Sequence, residues 1–244
     1  MKLPDLFKRK KKDSVPHCSA VIVAAGSSQR MGMDKLLADL GGIPVLTRTI
    51  RTFEESPLVD EIVVVTRMDH LETVAELCHA NGFHKVSHVV CGGATRTLSA
   101  LAGVSEVQKT ARLIAIHDGA RPLVTADVIM RTVYAADEYM AAAPVVPCTD
   151  TLKQIDEKGS VVATLDREHT VRVQTPQVFR ADLIKGALTK AAEKNLVFPD
   201  DCAAAEMMGL RSHTVLGDEE NIKLTTPRDL AFAAAILKER ESEK

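Results

Sequence analysis

No apolar stretch of this 244-residue chain approaches the roughly 20 residues that a membrane span needs. The N-terminus lacks the apolar h-region of a secretory leader. A cytoplasmic protein with no membrane partner is the expectation. The five cysteines, Cys18, Cys78, Cys91, Cys148 and Cys202, are odd in number, widely scattered and form no C-x-x-C pair. That usage suits free thiols in a reducing compartment better than a disulfide framework or a zinc site. A net charge of -2 gives no electrostatic case for nucleic acid. The H-E-x-x-H zinc pattern is missing, no Ser/His/Asp or Cys/His set can be assigned, and Tyr134 and Tyr139 have no lysine four residues later. These gaps argue against a zinc hydrolase, a covalent hydrolase and a short-chain dehydrogenase.

What is present centres on Ala24 to Lys35, A-A-G-S-S-Q-R-M-G-M-D-K. It follows Ser19 to Val23, a run without alternation that suits a strand buried on both faces of a parallel sheet. Gly26, Ser27, Ser28 and Gly32 let backbone N–H groups turn toward an anion, and Arg30 and Lys35 add two positive charges. The loop is neither common nucleotide fingerprint: Gly32 comes one place too late for a Walker A loop, and Ser28 stands where G-x-G-x-x-G needs its second glycine. A polyphosphate cradle and an ordinary strand-to-helix turn with solvated charges are both consistent with this loop alone.

Residues 1 to 17 carry the basic run Lys8 to Lys12 behind Leu3, Leu6 and Phe7. So few apolar residues cannot offset the entropy of ordering, so a disordered, solvated tail is expected rather than a membrane-touching helix. The remainder, 18 to 240, reads as a single domain. Strands are expected at Glu61 to Thr66, Val86 to Cys91, Arg112 to His117 and Ala143 to Pro147. Between them fall a helix opened by Pro44, one over His70 to Ala80, one carrying Leu98, Leu101 and Val104, and one capped by Thr125. Repeated βα units imply an α/β fold, a mostly parallel sheet with helices on both faces. Ligands sit at the carboxyl ends of such strands.

The rhythm breaks from about 148 to 173, where alternation on either side of Asp156-Glu157-Lys158-Gly159 reads as a β-hairpin. It is either an arm gripping a second subunit or a local insertion. Helices follow over Ala181 to Lys194 and Asp200 to Met208, then a short strand, Asn221 to Leu224, and a helix opened by Thr226 and Pro227. Asp118 and Arg121 occupy a turn after a strand, where an acid could bind a divalent cation or a ribose and an arginine could fork onto phosphate. A turn-stabilising Asp–Arg pair is the plainer alternative. His117 reads as a packed histidine. Arg167, between Asp166 and Glu168, and Lys223 are unremarkable by themselves.

Seven motifs in order resemble one family, the 2-C-methyl-D-erythritol 4-phosphate cytidylyltransferases. They are A-A-G-x-x-x-R-M (Ala24 to Met31), G-G-x-x-R (Gly92 to Arg96), H-D-x-A-R-P (His117 to Pro122), D-T-L-K (Asp150 to Lys153), L-D-R (Leu165 to Arg167), Q-T-P-Q-x-F (Gln174 to Phe179) and N-I-K-L-T-x-P-x-D-L (Asn221 to Leu230). The resemblance implies a Rossmann-like nucleotidyltransferase fold, a homodimer joined by the β-arm, and transfer of a cytidylyl group from CTP to methylerythritol phosphate in the non-mevalonate isoprenoid pathway.

The resemblance also assigns roles. Arg30 and Lys35 would contact the triphosphate and stabilise the transition state. Cytosine would lie near Ala24, Ala25, Gly26, Gly93 and Ser99. Asp118 would sit beside the nucleotide and Mg2+ or another divalent cation. Arg121, Thr151, Thr175 and Lys223 would hold methylerythritol phosphate, with Arg167 reaching in from a partner's arm. Rival readings are a ribitol-5-phosphate cytidylyltransferase, an inactive nucleotide-binding module and, disfavoured by the missing glycine fingerprint, an NAD-dependent oxidoreductase.

Overall fold

A computed structural model describes residues 15–26 and 35–242. Of the disordered tail expected over residues 1 to 17, residues 1 to 14 lie outside the described residues, as do the loop residues Ser27, Ser28, Arg30 and Gly32; residues 15–17 are placed on the domain instead, with Pro16 buried and His17 Nδ1 2.9 Å from Asp60 Oδ1. The chain begins its first strand, β1, at Cys18–Val23, and continues through α1 (Val45–Glu55), β2 (Val59–Thr66), α2 (Leu71–Ala80), β3 (Val86–Cys91), α3 (Arg96–Glu106) and β4 (Leu113–Asp118). Then come α4 (Ala126–Tyr139), β5 (Ala141–Pro147), β6 (Lys153–Ile155), β7 (Val161–Thr164), β8 (Val171–Val173), β9 (Gln177–Arg180), α5 (Ala181–Glu193), α6 (Asp201–Glu206), β10 (His213–Leu216) and α7 (Pro227–Ser242). The main sheet runs β10-β5-β9-β4-β1-β2-β3, with β8 paired to β5.

β1 is parallel to both β2 and β4, β2 to β3, and β5 to β10, whereas β9 enters antiparallel between β4 and β5. Alternate residues of the central strands feed opposite layers, as the two-residue period of a strand requires. Ala20 and Ile22 of β1, Ile62 and Val64 of β2, and Leu113 and Ala115 of β4 pack under Leu46, Ile50 and Phe53 of α1, Val74 of α2 and Ile129 of α4. Val21, Val63, Val65, Ile114 and Ile116 face Ala100 and Val104 of α3, Ile184 and Leu188 of α5 and Ala204 of α6. Burial on both faces is why these strands carry continuous Val/Ile runs. Helix α3 turns Ala100, Gly103 and Val104 inward and leaves Leu98 at the surface.

Helix α3 sits tightly on the sheet because Gly103 has no side chain. A methyl group there would drive into Val21 and Val65. Gly103→Ala is therefore expected to lower stability by about 1–2 kcal/mol, since overpacking exceeds the helix-propensity gain of replacing glycine. A lowered midpoint in denaturant unfolding checks this; an unchanged midpoint would show slack between α3 and the sheet.

The hairpin falls where alternation placed it. β6 and β7 pair antiparallel as a separate two-stranded sheet, and the Asp156 carboxylate accepts the Lys158 and Ser160 N–H groups to close the turn. The segment Asn221 to Leu224, expected as a strand, is irregular. Its backbone groups serve loops and side chains instead of a ladder: Leu224 N–H donates to Ala120 O at 2.9 Å, and the Asn221 carbonyl accepts Arg121 Nη1 at 2.6 Å. Alternation also passed over β9 and β10.

Candidate active site

Three loops leave the carboxyl ends of β1, β4 and β3 and are stapled there by backbone hydrogen bonds. Ala24 N–H donates to Val65 O (2.7 Å), Gly92 N–H to Thr66 O (2.8 Å) and Gly119 N–H to Val23 O (2.9 Å). Gly92 allows the first and third loops to touch, because a methyl group on it would collide with Ala25 and come within 2.8 Å of Ser99 Oγ. Between the loops lies a cleft of about 630 Å³, with Ala24, Ala25 and Gly26 on one side and Gly93, Arg96 and Ser99 on another. Lys35, Asp118 and Lys223 also line it. A hollow of about 800 Å³ at the amino end of β4 is larger. Four of the charges that line it are closed into pairs, Arg112 with Asp137 and Arg180 with Asp182, whereas the smaller cleft gathers the residues singled out in the sequence.

Asp118 ends β4 and is almost completely buried. Lys223 Nζ lies 2.8 Å from its Oδ2 and Arg121 Nε 3.6 Å from the same oxygen, while Arg96 Nη2 stands 3.5 Å from Oδ1. Burial alone would raise its pKa, but Lys223, then Arg96 and Arg121, override it and hold the carboxyl well below the usual range. Asp118 is a carboxylate at any physiological pH.

Behind Asp118, His117 is fully buried, its ring centroid 4.9 Å from that of Phe53 and tilted 53° to it. Burial pushes its pKa down to about 4, so the ring is neutral. Its Nε2 faces the Arg121 carbonyl at 3.2 Å. A carbonyl only accepts, so Nε2 carries the proton and Nδ1 accepts from the Thr175 hydroxyl at 3.0 Å. The same hydroxyl oxygen accepts the Asp118 N–H at 3.1 Å. Thr175 is thus committed to holding the Asp118 backbone.

The irregular segment after β10 organises the cations. Lys35 Nζ donates to Leu224 O at 3.0 Å, Lys223 reaches Asp118, and Arg121 holds Asn221 O. The Asn221 side chain donates to Thr175 O at 3.0 Å. Of the residues singled out in the sequence, Ala24, Ala25, Gly26, Lys35, Gly93, Ser99, Asp118 and Lys223 meet at the cleft, and Arg121 and Thr175 contact Asp118. Thr151 and Arg167 do not join them in one chain: both are exposed on the hairpin segment, where Arg167 Nη1 donates to Thr149 O at 3.3 Å. Three residues were not singled out. Asn221 and Arg96 stand within quoted motifs, and Asp201 had no sequence signal, since its pairing with Arg96 spans 105 positions.

No group of three or more His, Cys, Asp or Glu able to hold a metal occurs among the described residues. Among the described residues, Asp118 is the acid that lines the cleft. A single carboxylate fits a cation that takes its remaining ligands from substrate phosphates and water.

A profile of the 2-C-methyl-D-erythritol 4-phosphate cytidylyltransferases matches residues 18–239. The cytidylyltransferase of that name from Caldanaerobacter subterraneus subsp. tengcongensis is 43% identical over 223 residues, covering 90% of this chain and 98% of that one. The one from Geobacter metallireducens is 41% identical over 227 residues, covering 91% and 97%. Among solved structures, a 4-diphosphocytidyl-2C-methyl-D-erythritol synthase from Anaerococcus prevotii superposes with a TM-score of 0.81 at 29% identity, covering 91% of this chain and 96% of that chain. A 2-C-methyl-D-erythritol 4-phosphate cytidylyltransferase from Thermus thermophilus gives 0.75 at 29% identity, covering 91% and 99%.

Proposed function

The chain belongs to the 2-C-methyl-D-erythritol 4-phosphate cytidylyltransferase family, and from that premise we propose how its residues divide the work. The enzyme transfers the cytidylyl group of CTP to 2-C-methyl-D-erythritol 4-phosphate and releases pyrophosphate, a step of non-mevalonate isoprenoid synthesis. In our reading a phosphate oxygen of the acceptor attacks the α-phosphorus of CTP in line with the departing pyrophosphate. No covalent intermediate forms, in keeping with the absence of an assignable nucleophile.

The difficulty is electrostatic. Each pair of unit charges of like sign at ~4 Å costs about 4 kcal/mol at an effective dielectric near 20, and a phosphate monoester must meet a triphosphate. The observation that carries the reading is the convergence of Lys35 and Lys223 on one cleft with Asp118. Lys35, with Arg30, takes the triphosphate and the charge that develops on the leaving group. Lys223 and Arg121 take the acceptor phosphate, with Thr175 fixing Asp118 from behind. Cytosine lies against Ala24, Ala25, Gly26 and Gly93, near Ser99. A uracil would leave a fixed backbone group unmatched, at about 1–3 kcal/mol per lost bond. Asp118 would hold a divalent cation brought with CTP, and that cation, when bound, adds positive charge beside the phosphates.

Residues 18 to 240 act as one unit with an arm at about 148–173, and the arm joins two copies. Ile155, Val161, Val162 and Leu165 are exposed along the hairpin, which is unusual for an unpartnered surface. In the dimer, Thr151 and Arg167 complete the partner's acceptor site. Inactive chains carrying Arg167→Ala and Lys35→Ala, mixed and re-formed as heterodimers, are therefore expected to regain part of the parent activity. No gain in verified mixed dimers would show that the arm does not share its arginine. The same reading places the enzyme in the reducing cytoplasm, supported by its free cysteines and by the lack, among the described residues, of any helix long and apolar enough to cross a membrane. Following pyrophosphate with CTP, magnesium and either methylerythritol phosphate or ribitol 5-phosphate tests the acceptor directly: product from the first alone is expected.

A further inference from the structure

Arg96 opens α3 at the rim of the cleft, yet its guanidinium does not simply face the open space. Nη1 and Nη2 fork onto Asp201 at 2.9 and 2.7 Å, and Nη2 also stands 3.5 Å from Asp118 Oδ1. Asp201 is buried to 1% exposure and is itself fixed. The Gln177 side-chain carbonyl accepts the Asp201 and Cys202 N–H groups at 2.9 and 3.0 Å, and the Gln177 amide donates to Asp200 at 3.0 Å. The chain of contacts runs from β9 through Gln177, α6 and Asp201 to Arg96, and ends on one oxygen of Asp118.

We propose that Arg96 is a positioning residue for cytidylyl transfer, a strut braced on Asp201 that stands 3.5 Å from Oδ1 of Asp118 and so keeps that carboxylate shared between both walls of the cleft instead of committed to Lys223 and Arg121 alone. The two oxygens of Asp118 are pulled to opposite sides: Oδ2 toward Lys223 and Arg121, Oδ1 toward Arg96. Without Arg96 the carboxylate turns wholly to Lys223 and Arg121, and the cations meant for the acceptor phosphate become neutralised by their own protein. Asp201 keeps the strut straight. A bidentate Arg–carboxylate fork fixes direction as well as distance, so losing Asp201 leaves Arg96 unaimed and its hold on Oδ1 of Asp118 is lost, as it is in Arg96→Ala.

The inference rests on Asp118 facing the reacting phosphates, so Asp118→Asn is assayed beside the Arg96 variants. Arg96→Ala is expected to raise the KM for methylerythritol phosphate and lower kcat, together by about 10–100-fold in kcat/KM, with the KM for CTP nearly unmoved. Equilibrium binding of methylerythritol phosphate to the metal-free protein, followed by calorimetry, should weaken in parallel, a readout independent of turnover. Arg96→Lys keeps the charge without the fork and is expected to fall between Ala and the parent. Asp201→Asn should resemble Arg96→Ala, and the double variant should be no worse than Arg96→Ala alone.

A residue that only straps α3 to α6 would instead lower the unfolding midpoint while leaving the KM of the folded fraction as in the parent. That pattern, in Arg96→Ala or, should it not fold, in Arg96→Lys, would overturn the proposal. Kinetics of Arg96→Ala indistinguishable from the parent would do so too. An inactive Asp118→Asn beside a normal Arg96→Ala sinks this inference alone, whereas a fully active Asp118→Asn sinks the assignment of the site and this inference with it.

Discussion

Lys35→Ala is expected to lower kcat about 10²- to 10³-fold, the usual cost of removing one preorganised group from the charge that builds in a transition state. Lys35 lines the cleft and its ammonium is aimed by a backbone acceptor, Leu224 O at 3.0 Å. The pyrophosphate that departs from CTP gains negative charge as the bond breaks, so a cation placed beforehand acts more strongly on the transition state than on bound CTP. Turnover should therefore fall more than CTP affinity does. The fold should persist, because Lys35 is half-buried at the cleft rather than part of the packed core. Pyrophosphate release and thermal unfolding measured on the same preparation decide the matter; turnover near the parent value would remove Lys35 from the machinery.

Lys223→Met should show a different signature, since it keeps an apolar stem and deletes the charge 2.8 Å from Asp118 Oδ2. The KM for methylerythritol phosphate is expected to rise by about 10–100-fold and kcat to fall by a similar factor, as for a displaced positioning group. Affinity for CTP should hardly change. Asp118 would remain ionised in the variant, because Arg96 and Arg121 still stand at 3.5 and 3.6 Å. A variant whose losses fell on CTP instead would move Lys223 to the nucleotide side of the cleft.

Strands β1, β2 and β4 were legible because they are buried on both faces, and the partly buried edge strand β3 because its apolar residues stand out between turns. Val86 to Cys91 was bounded as observed, and Ser19 to Val23 and Glu61 to Thr66 differ from the observed strands only at their starts. β9 and β10 were not legible: Gln177–Arg180 and His213–Leu216 are four residues each with mixed polarity. Their pairing depends on neighbours far away in sequence. Asn221 to Leu224 erred the other way. An apolar pair between polar residues looked like a strand, but its hydrogen bonds go to Ala120, Lys35 and Arg121. The loops after β1, β3 and β4 meet at the carboxyl edge of the sheet, where ligands of such folds were expected to sit. The brace from Arg96 to Asp201 exists only after the chain has folded across 105 positions, which no spacing rule can supply.

Lys35 and Leu224 are bonded although 189 positions separate them, and that bears on anyone who would exchange parts between related enzymes. A graft of residues 217 to 226 from a relative carries Lys223, but also the carbonyls that aim Lys35 and Arg121 and the amide that grips Thr175. Chimeras cut at the edges of that decapeptide should therefore work only when the turns around Ala120 and Gln174 travel with it. The walls of the cleft are not separable cassettes.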